Sequence, residues 1–201
     1  YRLVYLIRQA MARSAATRND SKERMLEAAI SLMRGSGLSG AGINEIVRES
    51  GAPKGSVYYF FPDGKLSLAS EALAIYAQRV GSFLDAALSS GKRPEDKVRA
   101  LFAAFAKRVR EAGYRKSCAV GAVSLDLDGD AGRLQPVLAD ALGQWVDCIA
   151  AHFDFGSTRR TRAFASLVLT TVEGAYVRCR AERSEKAFTE AGEWLAELAK
   201  G

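Results

Sequence analysis

The segment from Ile43 to Lys65 contains the residue types and the spacing that could read a DNA sequence. Two short helical patterns flank a tight turn at Gly51, an arrangement typical of a helix-turn-helix. Small residues at the start of the second helix would let its backbone approach base edges in the major groove, and lysine and tyrosine would supply polar contacts. The face that could meet DNA carries Lys54, Gly55, Ser56 and Tyr59.

Apolar residues in the same segment would hold the two helices at a fixed angle. Val57 and Phe61 are four residues apart, so they share one face of the second helix. The first helix offers Ile43, Ile46 and Val47 to meet them. The pattern predicts that one face of the second helix is buried and that the other is free to bind.

The rest of the chain consists of helical patterns that would position this segment. Apolar residues recur at three- and four-residue intervals almost everywhere, and the four prolines stand at junctions between these patterns. Strand-like alternation is absent, so the sequence predicts an all-α fold of about nine helices. The expected spans are 21–34, 43–49, 53–60, 65–88, 94–112, 118–127, 134–153, 158–180 and 185–199.

Charge is a weak guide to the function of this chain. The formal net charge of +6 and the pI near 9.3 suit a polyanionic partner. Residues 14–66, however, contain seven basic and six acidic side chains, so the DNA-reading segment is nearly neutral. No apolar run approaches the roughly 20 residues that span a bilayer, and we expect no membrane partner.

Three cysteines, Cys118, Cys148 and Cys179, are widely separated, and His152 is the single histidine. This spacing excludes a zinc finger and is typical of a reducing, intracellular setting. We expect buried thiols that pack as small core residues. A DNA-binding regulator that is switched by cysteine oxidation, at Cys118 or another cysteine, is the alternative.

No group of residues predicts an enzyme. With one histidine and no phosphate-cradling glycine loop, the chain lacks a catalytic constellation, and we expect neither catalysis nor a cofactor. Asp126, Asp128 and Asp130 alternate as they would in a calcium loop. Counted from Asp126, the sixth and twelfth positions hold Ala131 and Val137 instead of glycine and glutamate. This acidic cluster is therefore expected to end a helix and face solvent.

Gly51, Gly55, Tyr58 and Phe61 form the pattern Gly-x-x-x-Gly-x-x-Tyr-x-x-Phe, and Lys65 follows it. In this pattern the chain resembles the tetracycline-repressor (TetR) family over about residues 18–68. The run Cys118-Ala-Val-Gly-Ala-Val-Ser-Leu-Asp126 further resembles the LmrA/YxaF-like branch. The resemblance implies a bacterial, cytoplasmic transcriptional regulator, usually a repressor. It divides the chain into an N-terminal extension, 1–17, a three-helix helix-turn-helix domain, 18–64, and a larger helical effector-binding and dimerisation domain, 65–201.

The resemblance also assigns roles in binding double-stranded DNA. Lys54, Ser56 and Tyr59 would face bases, and Gly55 would let the backbone come close. Tyr58 and Lys65 would contact phosphate, and Lys65 also starts a helix whose amides favour an anion. The complete expected set is Gly42, Lys54, Gly55, Ser56, Tyr58, Tyr59 and Lys65. Further phosphate or minor-groove contacts are expected from Arg13, Arg18 and Lys22.

Three positions depart from the family's pattern. Ala41 stands where threonine is frequent, so Gly42 is left to cap the second helix and we expect weaker anchoring to phosphate. Tyr59 stands where histidine is common, which implies a different operator sequence. Ala119 stands where proline often follows the cysteine.

For the larger domain the resemblance implies a pocket for a small lipophilic effector, lined by aromatic residues on the inward faces of several helices. The expected lining is Phe83, Phe102, Phe105, Cys118, Trp145, Phe164 and Tyr176. The alternative is that these aromatics are ordinary core residues.

The last two long helices would form the seam of a homodimer, with contacts from Leu167, Thr171, Ala175, Phe188 and Trp194. A two-fold dimer predicts a palindromic operator. Effector binding would favour a spacing of the two helix-turn-helix domains, the reading heads of the dimer, that fits DNA poorly. A helical protein-interaction module without DNA binding is the remaining alternative.

Overall fold

The structure, a computed structural model, describes the backbone of residues 2–200 and the side chains of residues 20–200. The described backbone contains helices and turns but no strand, which confirms the predicted all-α fold. Its nine α-helices are α1 Arg2–Gly40, α2 Ile43–Ser50, α3 Lys54–Phe60, α4 Lys65–Ser89, α5 Pro94–Glu111, α6 Ala119–Ser124, α7 Gln135–Ala150, α8 Thr158–Glu182 and α9 Lys186–Ala199. A 3₁₀ turn at Gly129–Leu134 precedes α7. None of the described helices is long and apolar enough to cross a membrane.

Most helix ends lie within a few residues of the predicted positions. Pro94 and Pro136 occupy the first turns of α5 and α7, where the missing N–H leaves no helical hydrogen bond unmade. The side chains of Cys118 and Ser157 each accept a backbone N–H, so they cap α6 and α8. Local signals in the sequence therefore determine where these helices begin.

The beginning of α1 differs from the prediction. The helix begins at Arg2 instead of near residue 21. Asp20 and Ser21 stand where the helix was predicted to begin, but both lie inside α1, and their side chains accept hydrogen bonds from Arg24, about one turn later. A side chain that bonds along the helix in this way does not satisfy the free amides of a helix start.

The other end of α1 is close to its predicted position. The backbone leaves helical geometry at Ser36 and Gly37, whose φ values are −142° and 66°. Only a short turn to Gly40 follows before α2. The regular helix therefore ends just after Arg34, at the glycines that predicted its end.

The helix-turn-helix shares its core with the first half of α4. Lys22 on α1 forms a 2.6 Å ion pair with Glu71 on α4, and its ammonium lies over the ring of Phe61. The α4 helix has 25 residues and is about 37 Å long, so it continues from this core into the larger bundle. The core of this first unit is formed by Met25, Ala29, Met33, Ile46, Val57, Phe61 and Leu68.

The larger bundle consists of α4 to α9, with α5 packed along α9. The two helices approach closely at Gly192, where an added Cβ would lie 2.6 Å from the Cβ of Phe102. Beside this point the rings of Phe105 and Phe188 stack with centroids 5.5 Å apart, and Tyr176 meets Phe188 edge-on at 5.2 Å. These aromatic contacts fix α5, α8 and α9 relative to one another.

Candidate nucleic-acid interface

The turn between α2 and α3 is fixed by several hydrogen bonds. Gly51 has a φ of 63° and donates its N–H to the carbonyl of Val47 at 3.0 Å, as a left-handed helix end requires. The buried hydroxyl of Ser50 accepts the N–H of Ala52 at 3.2 Å, and Arg24 donates to the Ser50 carbonyl at 3.0 Å. Sequence analysis identified the glycine but not Ser50 or Arg24, because nothing in the local pattern distinguishes them from surface residues.

The α3 helix has one buried face and one open face. Val57 and Phe61 are fully buried against the core, as their spacing predicted. On the opposite face, Tyr58 and Tyr59 are 60% and 68% exposed, and Lys54 is exposed as well. A fully packed face holds the helix in place, so the open face is available to a partner without any rearrangement.

The start of α3 is unobstructed. Nothing lies within 4 Å of the position that a Cβ at Gly55 would occupy. Ser56 is half-buried and donates its N–H to the carbonyl of Pro53 at 2.9 Å, so its backbone is engaged and its side chain remains near the surface. A large surface can therefore approach the first turn of this helix closely.

Tyr58 lies beside the start of α4. The N-terminal residue of this helix is preceded by Gly64, which has a φ of 60°. A Cβ at Gly64 would lie 3.3 Å from Cε1 of Tyr58, so the ring packs over the glycine. Lys65 follows as the half-buried first residue of α4. The free amides of this helix end, the ammonium and the tyrosine thus lie together, which is a favourable arrangement for an anion.

Gly42 is the N-cap of α2, and no side chain caps this helix. Its carbonyl accepts the N–H of Ile46 at 2.9 Å, and Ala41 beside it is buried. The open amides of this second helix start lie on the same domain as α3. The expected role of glycine as the cap at this position is thus confirmed.

The basic residues of α1 were also expected to contact DNA phosphates or the minor groove. Lys22 is engaged by Glu71 and Phe61, so the structure assigns it to the packing of α1 on α4 and not to a free phosphate contact. Arg13 and Arg18 lie outside the residues whose side chains are described.

A small cavity lies inside the larger bundle. Its volume is about 30 Å³, room for one water molecule. Four of the residues predicted for an effector site line it: Phe105, Cys118, Trp145 and Tyr176. The indole N–H of Trp145 donates to the carbonyl of Ala77 at 2.9 Å, so this ring is fixed in the wall.

The other three predicted aromatics do not line the cavity. Phe102 packs against Phe188 and Gly192. Phe164 belongs to a separate aromatic group with Phe153 and Phe155. Phe83 contacts the ring of Phe105 and lies under the guanidinium of Arg108. These three are packing residues, because helical periodicity shows which residues point inward but not which of them border an empty space.

Polar residues that sequence analysis missed complete the cavity wall: Arg34, Tyr76, Arg108 and Glu173. Burial raises the pKa of Glu173, and the same effect raises the pKa of Tyr76 well above its ordinary value. Glu173 could have been recognised in the sequence, because Leu169, Val172 and Tyr176 share its helix face, so that a charged residue stands in an apolar stripe.

A groove of about 840 Å³ adjoins this cavity between the end of α1, α6 and α8. Cys118, Glu173 and Tyr176 line both spaces and separate them. The carboxyl of Glu173 lies beside Cys118 in this wall, and burial raises the pKa of Cys118 well above its ordinary value. A thiol in this environment is protonated and therefore a weak nucleophile.

The helix-turn-helix unit is attached to the bundle next to this groove. Arg34 donates from Nε to the carbonyl of Ser117 at 3.0 Å, and the N–H of Ser117 returns a bond to the Arg34 carbonyl at 2.9 Å. Asp126 accepts the N–H of Ser39 at 3.0 Å. The expectation that the acidic cluster faces solvent holds for Asp128 and Asp130, which are exposed, but not for Asp126: its carboxylate lies over Gly37, where only a residue without Cβ leaves room for it.

The residues predicted for a dimer seam fall into two groups. Ala175 and Phe188 are buried within the protomer, so they cannot form surface contacts with a second copy. Leu167 and Trp194 are exposed, Thr171 is half-buried, and the structure adds the exposed Val177 and Leu198. The error arose because α8 and α9 are apolar on two faces, and spacing alone does not separate the inner face from the outer one.

Comparison with known proteins places this geometry in context. Residues 25–72 match the family model described as bacterial regulatory proteins, tetR family, and residues 94–194 match the model for the C-terminal domain of LmrA/YxaF-like transcriptional regulators. An uncharacterized HTH-type transcriptional regulator of Mycobacterium tuberculosis is 31% identical over 169 residues, which cover 81% of this chain and 85% of that protein.

Two further similarities concern the DNA-reading domain and the fold. LmrA, an HTH-type transcriptional regulator of Bacillus subtilis, is 56% identical over 54 residues, covering 27% of this chain and 29% of that protein. The crystal structure of a regulatory protein TetR from Rhodobacter sphaeroides superposes with a TM-score of 0.78 at 19% identity, covering 87% of this chain and 96% of that one. The second similarity extends over both the helix-turn-helix and the bundle.

Proposed function

Because this chain belongs to the TetR family of bacterial transcriptional regulators, in the branch with an LmrA/YxaF-like C-terminal domain, we propose that it is a repressor. In this proposal it binds a palindromic operator as a homodimer, and a small lipophilic effector releases it from the DNA. The observation that carries the proposal is the open face of α3, where Lys54, Tyr58 and Tyr59 are exposed opposite a fully buried face. We assign the protein to the cytoplasm, where its DNA target lies.

The proposed DNA contacts follow from this exposure. Lys54, Ser56 and Tyr59 read bases in the major groove, and Gly55 lets the backbone approach. Tyr58 and Lys65 bind one phosphate at the start of α4, and Gly42 brings the start of α2 to another. Since residues 14–66 are almost neutral, affinity depends on these placed contacts and on two reading heads acting together.

The proposed dimer seam is the outer face of α8 and α9. Trp194 is 75% exposed and Leu198 61%, four residues apart on α9, while Leu167 and Val177 are exposed on α8. Large apolar side chains clustered on a surface favour burial against a partner. A two-fold arrangement would present two α3 helices to successive major grooves, about 34 Å apart, and would require a palindromic operator.

The proposed effector site is the cavity between α1, α4, α5, α7 and α8. Tyr76 and Val80, which line the cavity, belong to the same continuous helix as Lys65 at the DNA end. An effector that changes the position of the α4 wall would therefore move the phosphate contact. This requires that the effector bind more tightly to the conformation that fits DNA poorly.

A switch based on cysteine oxidation has less support. Burial raises the pKa of all three thiols, Cys118 most of all, and Cys118 and Cys179 are buried. Oxidation proceeds from the exposed thiolate, which this environment disfavours. A protein-interaction role for α3 is not favoured by any specific contact.

Selection of bound sequences from a random pool of double-stranded DNA tests the proposal. We expect a palindrome whose half-sites are separated by one or more helical turns. Enrichment of a single half-site without symmetry would contradict the dimer, and no enrichment at all would contradict sequence-specific DNA binding. A thermal-shift screen of lipophilic compounds, followed by release from the selected DNA, tests the effector separately.

A further inference from the structure

Two guanidinium groups line the cavity without a carboxylate partner among residues 20–200. Among residues 20–200, Arg34 donates only to the carbonyl of Ser117, and its Cζ lies 5.8 Å from the ring centre of Tyr76. Arg108 lies 4.1 Å from the ring centre of Phe83. Several other arginines of the bundle form ion pairs with aspartate or glutamate, for example Arg99 with Glu193. The two cavity arginines hence retain unused hydrogen-bonding capacity for an anion.

The two guanidinium groups line the same cavity, together with Tyr176. Burial raises the pKa of Tyr176, and the positive charges of Arg34 and Arg108 act in the opposite direction. Arg108 is exposed, so this side of the cavity reaches the protein surface, and Arg34 lies deeper. A ligand that enters here would meet one arginine at the opening and the other inside.

The remaining polar groups of the wall leave this positive charge uncompensated. Glu173 is the one carboxyl group among the lining residues, and burial favours its neutral form. The phenols of Tyr76 and Tyr176 are likewise neutral in this environment. The apolar part of the wall consists of Val80, Leu84, Phe105, Trp145, Leu169 and Val172.

We infer that the effector of the proposed switch is an aromatic amphiphile with a single carboxylate, held between Arg34 and Arg108 with its rings among the apolar residues of the cavity. This inference rests on the proposed function and specifies the chemistry of its ligand. A planar carboxylate matches the fork of a guanidinium, and exclusion of water strengthens the pair. A ligand larger than the present 30 Å³ would extend toward the adjoining groove, from which only Cys118, Glu173 and Tyr176 separate the cavity.

The position of Arg34 links this recognition to DNA release. Arg34 is the cavity residue that belongs to α1, and it lies just before the break at Ser36 and Gly37. Its Nε bond to the Ser117 carbonyl helps to hold α1 against the loop that precedes α6. A carboxylate that bonds the free Nη groups draws the guanidinium toward the cavity and strains its Nε bond to that carbonyl, so binding weakens an attachment of the helix-turn-helix domain. A neutral ligand of equal shape exerts a weaker pull.

Matched pairs of probes test the inference: 2-naphthoate with 2-naphthamide, and anthracene-2-carboxylate with its amide. Isothermal titration at pH 7 should show that the acid of at least one pair binds about tenfold more tightly than its amide, because hydrogen bonds to charged groups are stronger than neutral ones. Arg108→Met and Arg34→Met should each abolish the preference. Arg34→Lys, which retains charge without the fork, should keep part of it. Lys107→Met, an exposed change on the same helix as Arg108, should leave it intact.

Each outcome decides the inference. Equal binding of acid and amide, stronger binding of the amide, or no binding of any probe would overturn it, as would a preference that survives both methionine variants. The melting temperature of each variant shows whether it is folded. If Arg34→Met unfolds the chain, Arg108→Met alone still tests the inference. The proposed function is judged by separate readouts, namely binding of the ligand-free protein to selected DNA and its release by any compound found in the thermal-shift screen, whether charged or neutral. An overturned inference would leave both unaffected.

Discussion

The carboxyl group of Glu173 lies directly against Gly121: a Cβ added at Gly121 would lie 3.2 Å from Cδ of Glu173 and would overlap with its Oε2. The glycine in the Cys118–Asp126 run thus makes room for a buried acidic group on α8. Cys118, at the start of the same run, lines the cavity together with Glu173, so the two segments meet at a polar group inside an apolar wall.

The first prediction concerns the pH dependence that this buried carboxyl introduces. Burial raises the pKa of Glu173 above the value of 4.5 expected in the unfolded chain, so the folded state binds a proton more tightly. The contribution of Glu173 to the free energy of unfolding is therefore fully present below pH 4.5. It is lost as the pH rises through the higher pKa that Glu173 has in the folded state. Glu173→Gln, which cannot ionise, should therefore be more stable than the parent at pH 8 and equal to it near pH 4.

Urea denaturation between pH 4 and pH 8 measures this difference. Glu190→Gln, an exposed change on α9, provides the control and should show no such trend. A stability difference that is independent of pH would mean that Glu173 ionises normally in the folded protein.

The second prediction concerns the close contact between α9 and α5. Gly192→Ala should lower the free energy of unfolding by about 1–3 kcal/mol, because the new methyl group would collide with the Cβ of Phe102, which cannot rotate away. Gly143→Ala on α7 meets nothing within 4 Å and should be neutral or stabilising by up to about 1 kcal/mol. Denaturant midpoints of the two variants check this, and equal midpoints would contradict the packing described for α9.

The third prediction concerns base reading by α3. Lys54→Ala should weaken binding to the selected operator by about 1–3 kcal/mol and relax its preference at one position of each half-site, because a donor to base edges is lost. Its melting temperature should not change, since Lys54 is exposed. Fluorescence anisotropy with operator and point-mutated operators measures both effects. Uniform weakening on all sequences would instead assign Lys54 to phosphate.

The fourth prediction concerns the phosphate contact at the start of α4. Lys65→Ala should weaken binding to operator and to unrelated DNA by similar factors, because phosphate contacts carry no sequence information. The slope of log K against log salt should decrease by about one for each head. Salt titrations of the parent and of the variant give this slope. Loss of operator preference with an unchanged slope would place Lys65 near a base.

The fifth prediction concerns the exposed apolar face of α9. Trp194→Glu should convert the dimer to a monomer and weaken operator binding strongly, because a charge would enter the seam and one head would be lost. Sedimentation velocity measures the mass directly. Lys107→Glu introduces a carboxylate at an exposed position of α5 and should leave the dimer intact. A dimer that survives Trp194→Glu would exclude this face as the seam.

Sequence patterns predicted most helix ends and the buried face of α3 well. The spacing of Val57 and Phe61 predicted the buried face of α3, and Gly51 predicted the end of α2, because both are consequences of local geometry. The prolines at 94 and 136 marked the starts of α5 and α7 for the same reason. The family resemblance at Gly55 and Tyr58 then identified the segment that the tetR family model matches.

The features that the sequence did not predict depend on contacts between distant segments. Arg34 and Ser117 are 83 residues apart in the chain, and their paired bonds exist only in the folded protein. Phe102 and Phe105 point into the same bundle, yet only Phe105 borders the cavity, because empty space depends on how neighbouring helices fit. Phe188 was placed in the dimer seam because α9 is apolar on two faces.

The separation of the two faces of α3 has an evolutionary consequence. Lys54 and Tyr59 are exposed, so substitutions there should change the proposed DNA partner with little effect on stability. Duplicated copies of such a gene could therefore acquire new target sites one residue at a time while every intermediate remains folded. Because the two faces of α3 are independent, an engineer could redirect the protein to a chosen promoter while it keeps its response to the proposed effector.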